Sequence, residues 1–120
     1  MANPNIVNVT TITGKTDVLL VTTSATAITS NSAASGKVLK INSLIISNIN
    51  TASADITIDL YRSSVAYRLI KSVTVPAGTS LYSLVKDSII YLQEGDSLRL
   101  TASANSYLEG VCSYEDISWD

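Results

Sequence analysis

Along this chain, short runs of Val, Ile and Thr alternate with polar residues, and turn-forming residues cut the runs about every 8 to 12 positions. That pattern constrains the fold more than any motif does. The plainest case is Asp55 to Tyr61 (DITIDLY), where Ile56, Ile58 and Leu60 share one face and Asp55, Thr57, Asp59 and Tyr61 the other. Branching at Cβ restricts the side-chain rotamers and suits a pleated surface better than a helix. No segment keeps a helical period long enough to supply crossover helices, so parallel α/β folds are not expected.

The remaining runs follow the same logic. Ile6 to Thr13 reads as a first strand, Gly14-Lys15 as a turn, and Val18 to Thr23 as a short buried strand that continues from Ala25 to Thr29. Ser30 to Gly36 is a loop of turn formers. Val38 to Ile49 is the longest apolar run. Its better core face carries Leu39, Ile41, Ile45 and Ile49, yet Leu44 and Ile46 lie on the opposite parity. A strand reads this way when both its faces are covered. Val65 to Val75 should pair with Asp55 to Tyr61 as a hairpin, and Lys71 breaks its apolar parity, which suggests a bulge. Val75-Pro76-Ala77-Gly78 and Gln93-Glu94-Gly95-Asp96 are turns. Leu81 to Val85, Ile89 to Leu92, Ser97 to Ala102 and Tyr107 to Ile117 complete a set of about nine or ten short strands, the signature of an all-β sandwich or barrel.

Length and charge narrow the function. At 120 residues the chain is expected to form one domain, 1–120, with 1–15 as an N-terminal arm or an edge strand. Charged residues make up 15%, against an average of about 25%. Ser, Thr and Asn therefore dress the surface. Such a surface repels copies of itself weakly and suits a protein that lives among neighbours. The net charge is −2 and the eight Lys and Arg are scattered singly. Nucleic-acid binding needs clustered cations to release counterions, so no nucleic-acid partner is expected. No apolar run approaches a membrane span, and Met1-Ala2-Asn3-Pro4-Asn5 lacks the features of a signal peptide, so no membrane partner is expected either.

Candidate chemistry is sparse. There is no His, and the one Cys, Cys112, lies in an apolar run and reads as a small buried hydrophobe. It has no His to activate it and no second Cys for an internal disulfide, and it suits synthesis in a reducing cytoplasm. Zinc and copper sites lack ligands. Glu94, Asp96, Glu115, Asp116 and Asp120 could gather around calcium, but the dense acidic spacing of calcium loops is missing. Asp55 and Asp59 share a strand face and read as solvated decoration rather than an acid–base pair. Gly14-Lys15-Thr16 ends like a phosphate loop, yet Val9 stands where that motif requires Gly. No catalytic residue, metal or cofactor is expected. Tyr61, Tyr67, Tyr107, Tyr114 and Trp119 are candidates to stack on a sugar ring or, more simply, to pack at sheet edges and interfaces. A carbohydrate partner is the competing expectation.

Three stretches carry a resemblance: "KINSLIISNINTASADITIDLY", "VPAGTSL" and "IYLQEGDSLRLTASA". With the low charge and the Ser/Thr/Asn texture, the region from Lys37 to Ser118 resembles small virion proteins of tailed bacteriophages. The resemblance implies a single-domain antiparallel β-sandwich, jelly-roll-like or else immunoglobulin-like. It also implies a non-catalytic structural role as a capsid decoration (cement) protein, or in a neck, baseplate or tail fibre. Expected partners are copies of itself, as a homo-oligomer taken to be a trimer, and major capsid or other virion proteins. Expected localisation is the virion, after synthesis in the host cytoplasm. The texture has no functional motif, so the expected contact residues are Leu44 and Ile46, from the doubly apolar middle of the longest strand, and the aromatic rings of Tyr61, Tyr67, Tyr107 and Trp119.

Overall fold

A computed structural model describes residues 10–118. The alternating segments become nine strands among these residues: β1 (Thr11–Leu20), β2 (Thr26–Ser30), β3 (Lys37–Asn48), β4 (Ala54–Arg62), β5 (Val65–Val75), β6 (Ser80–Leu84), β7 (Ile90–Leu92), β8 (Ser97–Ala102) and β9 (Leu108–Ser118). One 3-10 turn, Lys86–Ser88, separates β6 from β7.

The strands form two antiparallel sheets, ordered β1-β9-β3-β6 and β2-β8-β4-β5, with β7 pairing beside β6 on β3. The pairs are β1 with β9, β2 with β8, β3 with β6 and β7, and β4 with β5. These are the rungs of one long hairpin, closed at β4–β5 and folded over on itself. That is a jelly roll, with β6 and β7 as the two halves of one interrupted strand. The immunoglobulin arrangement, with its different division of strands between sheets, is not the one formed. The hairpin closes through Ser63 and Ser64, both with positive φ (53° and 63°). Left-handed values at both central residues match the right-handed twist of the flanking strands.

The core lies between the sheets. β3 supplies Leu39, Ile41, Leu44 and Ile46, β4 supplies Ile56 and Ile58, and β8 supplies Leu98 and Leu100, all buried. Gly110 on β9 lets the layers approach. A Cβ there would stand 2.6 Å from Leu100 Cδ1 and 3.2 Å from Ile28 Cδ1.

Local irregularities correct several sequence expectations. The pairing of β3 with β9 shifts between Ile41 and Ser43, so Asn42 is an extra residue. Such a bulge reverses the parity of everything after it. Leu39 and Ile41 face inward before it; Leu44, Ile46 and Asn48 face inward after it. The strand is apolar on both parities because its inward parity changes midway. β1 runs unbroken through Gly14-Lys15, which is not a turn, and Val18 is 73% exposed rather than buried. β5 is irregular where Lys71 suggests it, with Ser72 at φ 51°, and the register shifts again nearer Leu69.

Buried polar side chains tie the loops. Asn31 Nδ2 donates to the carbonyls of Lys37 and Leu92, both at 2.9 Å, while its Oδ1 accepts from the Ser35 hydroxyl. Asn48 Nδ2 donates to the carbonyls of Ala52 and Val75, also at 2.9 Å. In each case the side chain satisfies carbonyls that would otherwise be stranded.

Candidate interaction surface

Most of the candidate carboxylates are held in structural contacts; Glu94 Oε1 is buried without a hydrogen-bond partner. Asp59 is only 3% exposed, which corrects its reading as a solvated residue; Arg99 Nε donates to its Oδ1 at 2.9 Å. Asp55 accepts from the Thr74 hydroxyl at 2.8 Å. Glu94 Oε2 accepts from the Gly36 N–H, and Asp96 pairs with Arg62. Among the described residues, no group of three or more His, Cys, Asp or Glu side chains could hold a metal ion. Asp120 lies outside them.

One polar cluster sits between the sheets at the β1 end. Asp17 accepts from the Thr29 hydroxyl at 2.9 Å and the Tyr114 hydroxyl at 3.3 Å. Lys15 and Lys37 reach Asp116 Oδ2 at 3.1 and 3.0 Å. Burial raises the Asp116 pKa, but hydrogen bonds and charge from Lys37 and Lys15 outweigh it, so the carboxyl titrates below its usual range. Burial, and then the charge of Asp17, push the Tyr114 hydroxyl up to about 12. Burial likewise pushes the Cys112 thiol up to about 11, despite a hydrogen bond with Thr29 that favours the thiolate. None of these three groups is poised to exchange a proton near neutral pH.

The Cys112 shift has a measurable consequence. A thiol that binds its proton more tightly when folded contributes stability below its unfolded pKa, and that contribution is lost as pH rises toward the folded value. The chain should therefore lose about 2 to 3 kcal/mol between roughly pH 9 and 11 from this group alone. Urea unfolding of Cys112→Ala across that interval should show a correspondingly shallower loss; equal slopes would refute the assignment.

The expected contact residues do not converge. Leu44 and Ile46 are fully buried in the core, because the Asn42 bulge turns them inward, and they cannot form an interface. Tyr61 lies on the outer face of the β2-β8-β4-β5 sheet, with the Arg99 guanidinium 4.0 Å above its ring. Tyr67 is 56% exposed on edge strand β5, on the parity opposite to Tyr61. Tyr107 is partly buried against the core. Trp119 lies outside the described residues.

A different surface collects apolar groups, the outer face of the β1-β9-β3-β6 sheet. Registers place Val18 beside Val111, Val111 beside Ile45, and Ile45 beside Tyr82, a row that crosses all four strands. Val18 and Tyr82 are well exposed and the middle pair half-buried. A second row runs Gly14, Glu115, Lys40, Tyr91, with Lys40 Nζ 3.5 Å from Glu115 Oε1. Hydroxyls of Thr16, Ser113 and Ser43 lie between the rows. A shallow groove of about 430 Å³ beside Val18, Leu20, Glu109 and Val111 continues the face toward its β1 edge. At the far end Ile117 and Val38 are buried outside the core cluster, so the open face stops at the Lys40 row. The sequence carries a signal for this face, since Ile12, Gly14, Thr16, Val18 and Leu20 alternate with period two once Gly14-Lys15 is not read as a turn.

No protein-family model and no curated protein matches the chain. A solved structure described as "Bacillus endospore appendages form a novel family of disulfide-linked pili" is similar in fold, with a TM-score of 0.54 and 14% sequence identity. The match covers 100% of this chain and 96% of that one. At that identity the likeness concerns the all-β sandwich.

Proposed function

We propose that this chain is a non-catalytic structural subunit that works by contacts within a multi-copy assembly. The observation that carries the reading is the uncovered apolar row from Val18 to Tyr82. A row that crosses an entire sheet face is a surface for a neighbour, since monomers rarely leave such patches open. The low charge and the jelly-roll frame support it. The particular assembly we favour is a tailed-phage virion, with the chain as a capsid decoration protein, on the strength of the sequence texture. Neck, baseplate and tail-fibre positions suit the same surface.

A subunit of a bacterial surface fibre is the second reading, favoured by the likeness to the endospore pilus. Those pili are disulfide-linked, whereas the single Cys of this chain is buried and offers no surface thiol for such a link. Static light scattering of the purified chain over increasing concentration, alone and with purified phage shells, tests the proposal. Mass that rises with concentration, or binding to shells, supports it. A strict monomer that leaves shells bare overturns it.

A further inference from the structure

We infer that the outer face of the β1-β9-β3-β6 sheet joins two copies of this chain, related by a twofold axis that runs along the strands between β9 and β3. The inference rests on the self-association proposed above and names its surface and symmetry. A rotation about that axis keeps every row at its own height and exchanges β9 with β3, and β1 with the β6–β7 column. The residues in each row make that exchange self-complementary.

In the apolar row, Val111 of one copy comes over Ile45 of the other, and Val18 over Tyr82. In the charged row, Glu115 comes over the second copy's Lys40 and Lys40 over its Glu115, so the existing intrachain pair becomes a four-charge cluster. At the ends of that row, Tyr91 comes over Gly14. A Cβ built on Gly14 meets nothing within 4 Å, so the hollow is open for a ring. Small residues on the β1 side thus face tyrosines on the other, and negative faces positive. A contact in which the same patch serves both partners is the isologous arrangement that twofold symmetry requires. Two sheets facing each other pack about 10 Å apart with strands within about 30°, which keeps β9 and β3, the strands nearest the axis, in best contact.

The size of the face is consistent with a weak dimer. Four strands about 4.8 Å apart, over about eight residues rising 3.3 Å each, give a footprint of about 500 Å² per copy. The pair buries about 1,000 Å², the lower bound for a specific interface, which places the contact among the weak, reversible ones.

Sedimentation equilibrium on the full chain tests this. Lys40→Glu alone and Glu115→Lys alone each place like charges in two symmetric contacts, and each should weaken the dimer at least about tenfold. An equimolar mixture of the two variants should recover it, because both cross-copy contacts are again between opposite charges. An intrachain role for the pair predicts no recovery, since each chain keeps its own repulsion. Gly14→Ile should favour the strand yet fill the hollow, so it should raise or preserve thermal stability while weakening the dimer at least about tenfold. If either charge variant were to unfold, Gly14→Ile would still decide the matter. Variants that associate like the parent chain, or a mixture without recovery, would overturn this face while leaving self-association standing. A parent chain that stays monomeric at all concentrations would remove both.

Discussion

Ile46→Ala should lower the free energy of unfolding by about 3 to 4 kcal/mol, whereas Ile45→Ala, one residue away, should lower it by about 1 kcal/mol or less. The contrast follows from the extra residue at Asn42. Ile46 is 0% exposed, pairs across the sheet with Gly110, and lies in the core cluster with Leu44 and Ile41. Truncating it removes three buried carbons and leaves a cavity that the neighbouring branched side chains fill poorly. Ile45 lies on the outer face between Val111 and Tyr82, where water reaches one side of it. Without the bulge, strict alternation from Leu39 and Ile41 would put Ile45 inside and Ile46 outside, and the two costs would be exchanged. Urea unfolding of both variants therefore reads the register directly. Equal losses, or a larger loss for Ile45→Ala, would refute the inward turn of Leu44 and Ile46. Leu44→Ala should follow Ile46→Ala.

Those two positions also show where a sequence stops being readable. The alternation in β4 is regular, and its core face, Ile56 and Ile58, follows from spacing alone. In β3 the same argument fails at Asn42, because a bulge changes the count by one residue and no residue type marks it. Both parities then appear apolar, and the surplus reads as a second covered face. β1 fails for the opposite reason. Gly14-Lys15 has turn composition, but β9 supplies a continuous partner from Thr11 to Leu20, and pairing over that length overrides a local preference. The loss of β1 as one strand hides Val18, and with it the row that crosses the sheet. Tyr82 and Tyr91 are missed because their shared face exists only after β6 and β7 pair with the same strand, β3. Strand count and fold class depend on local alternation; a surface built from four strands depends on registers among segments up to about a hundred residues apart.

Arg62→Met should cost about 3 kcal/mol. Arg62 ends β4, and its guanidinium donates through Nε to Asp96 Oδ1 at 2.9 Å and through Nη2 to Oδ2. Asp96 is only 2% exposed and also accepts from the Gln93 N–H at 2.8 Å. Its backbone carbonyl accepts from the Asn31 N–H, so one buried residue joins the end of β4, the turn before β8 and the loop after β2. The methionine keeps the packing of the arginine stem and removes the charge. The carboxylate then stays buried with the Gln93 amide as its one remaining donor among these contacts, and the desolvation it suffered on folding is no longer offset. Asp96→Asn in the same background removes the stranded charge, so the double variant should be more stable than Arg62→Met alone. The cycle should show a coupling of at least about 1.5 kcal/mol. Denaturant unfolding of the parent, both single variants and the double variant measures it. Losses that simply add would mean that Arg62 stabilises this corner by packing its stem, and that the carboxylate is adequately solvated without it.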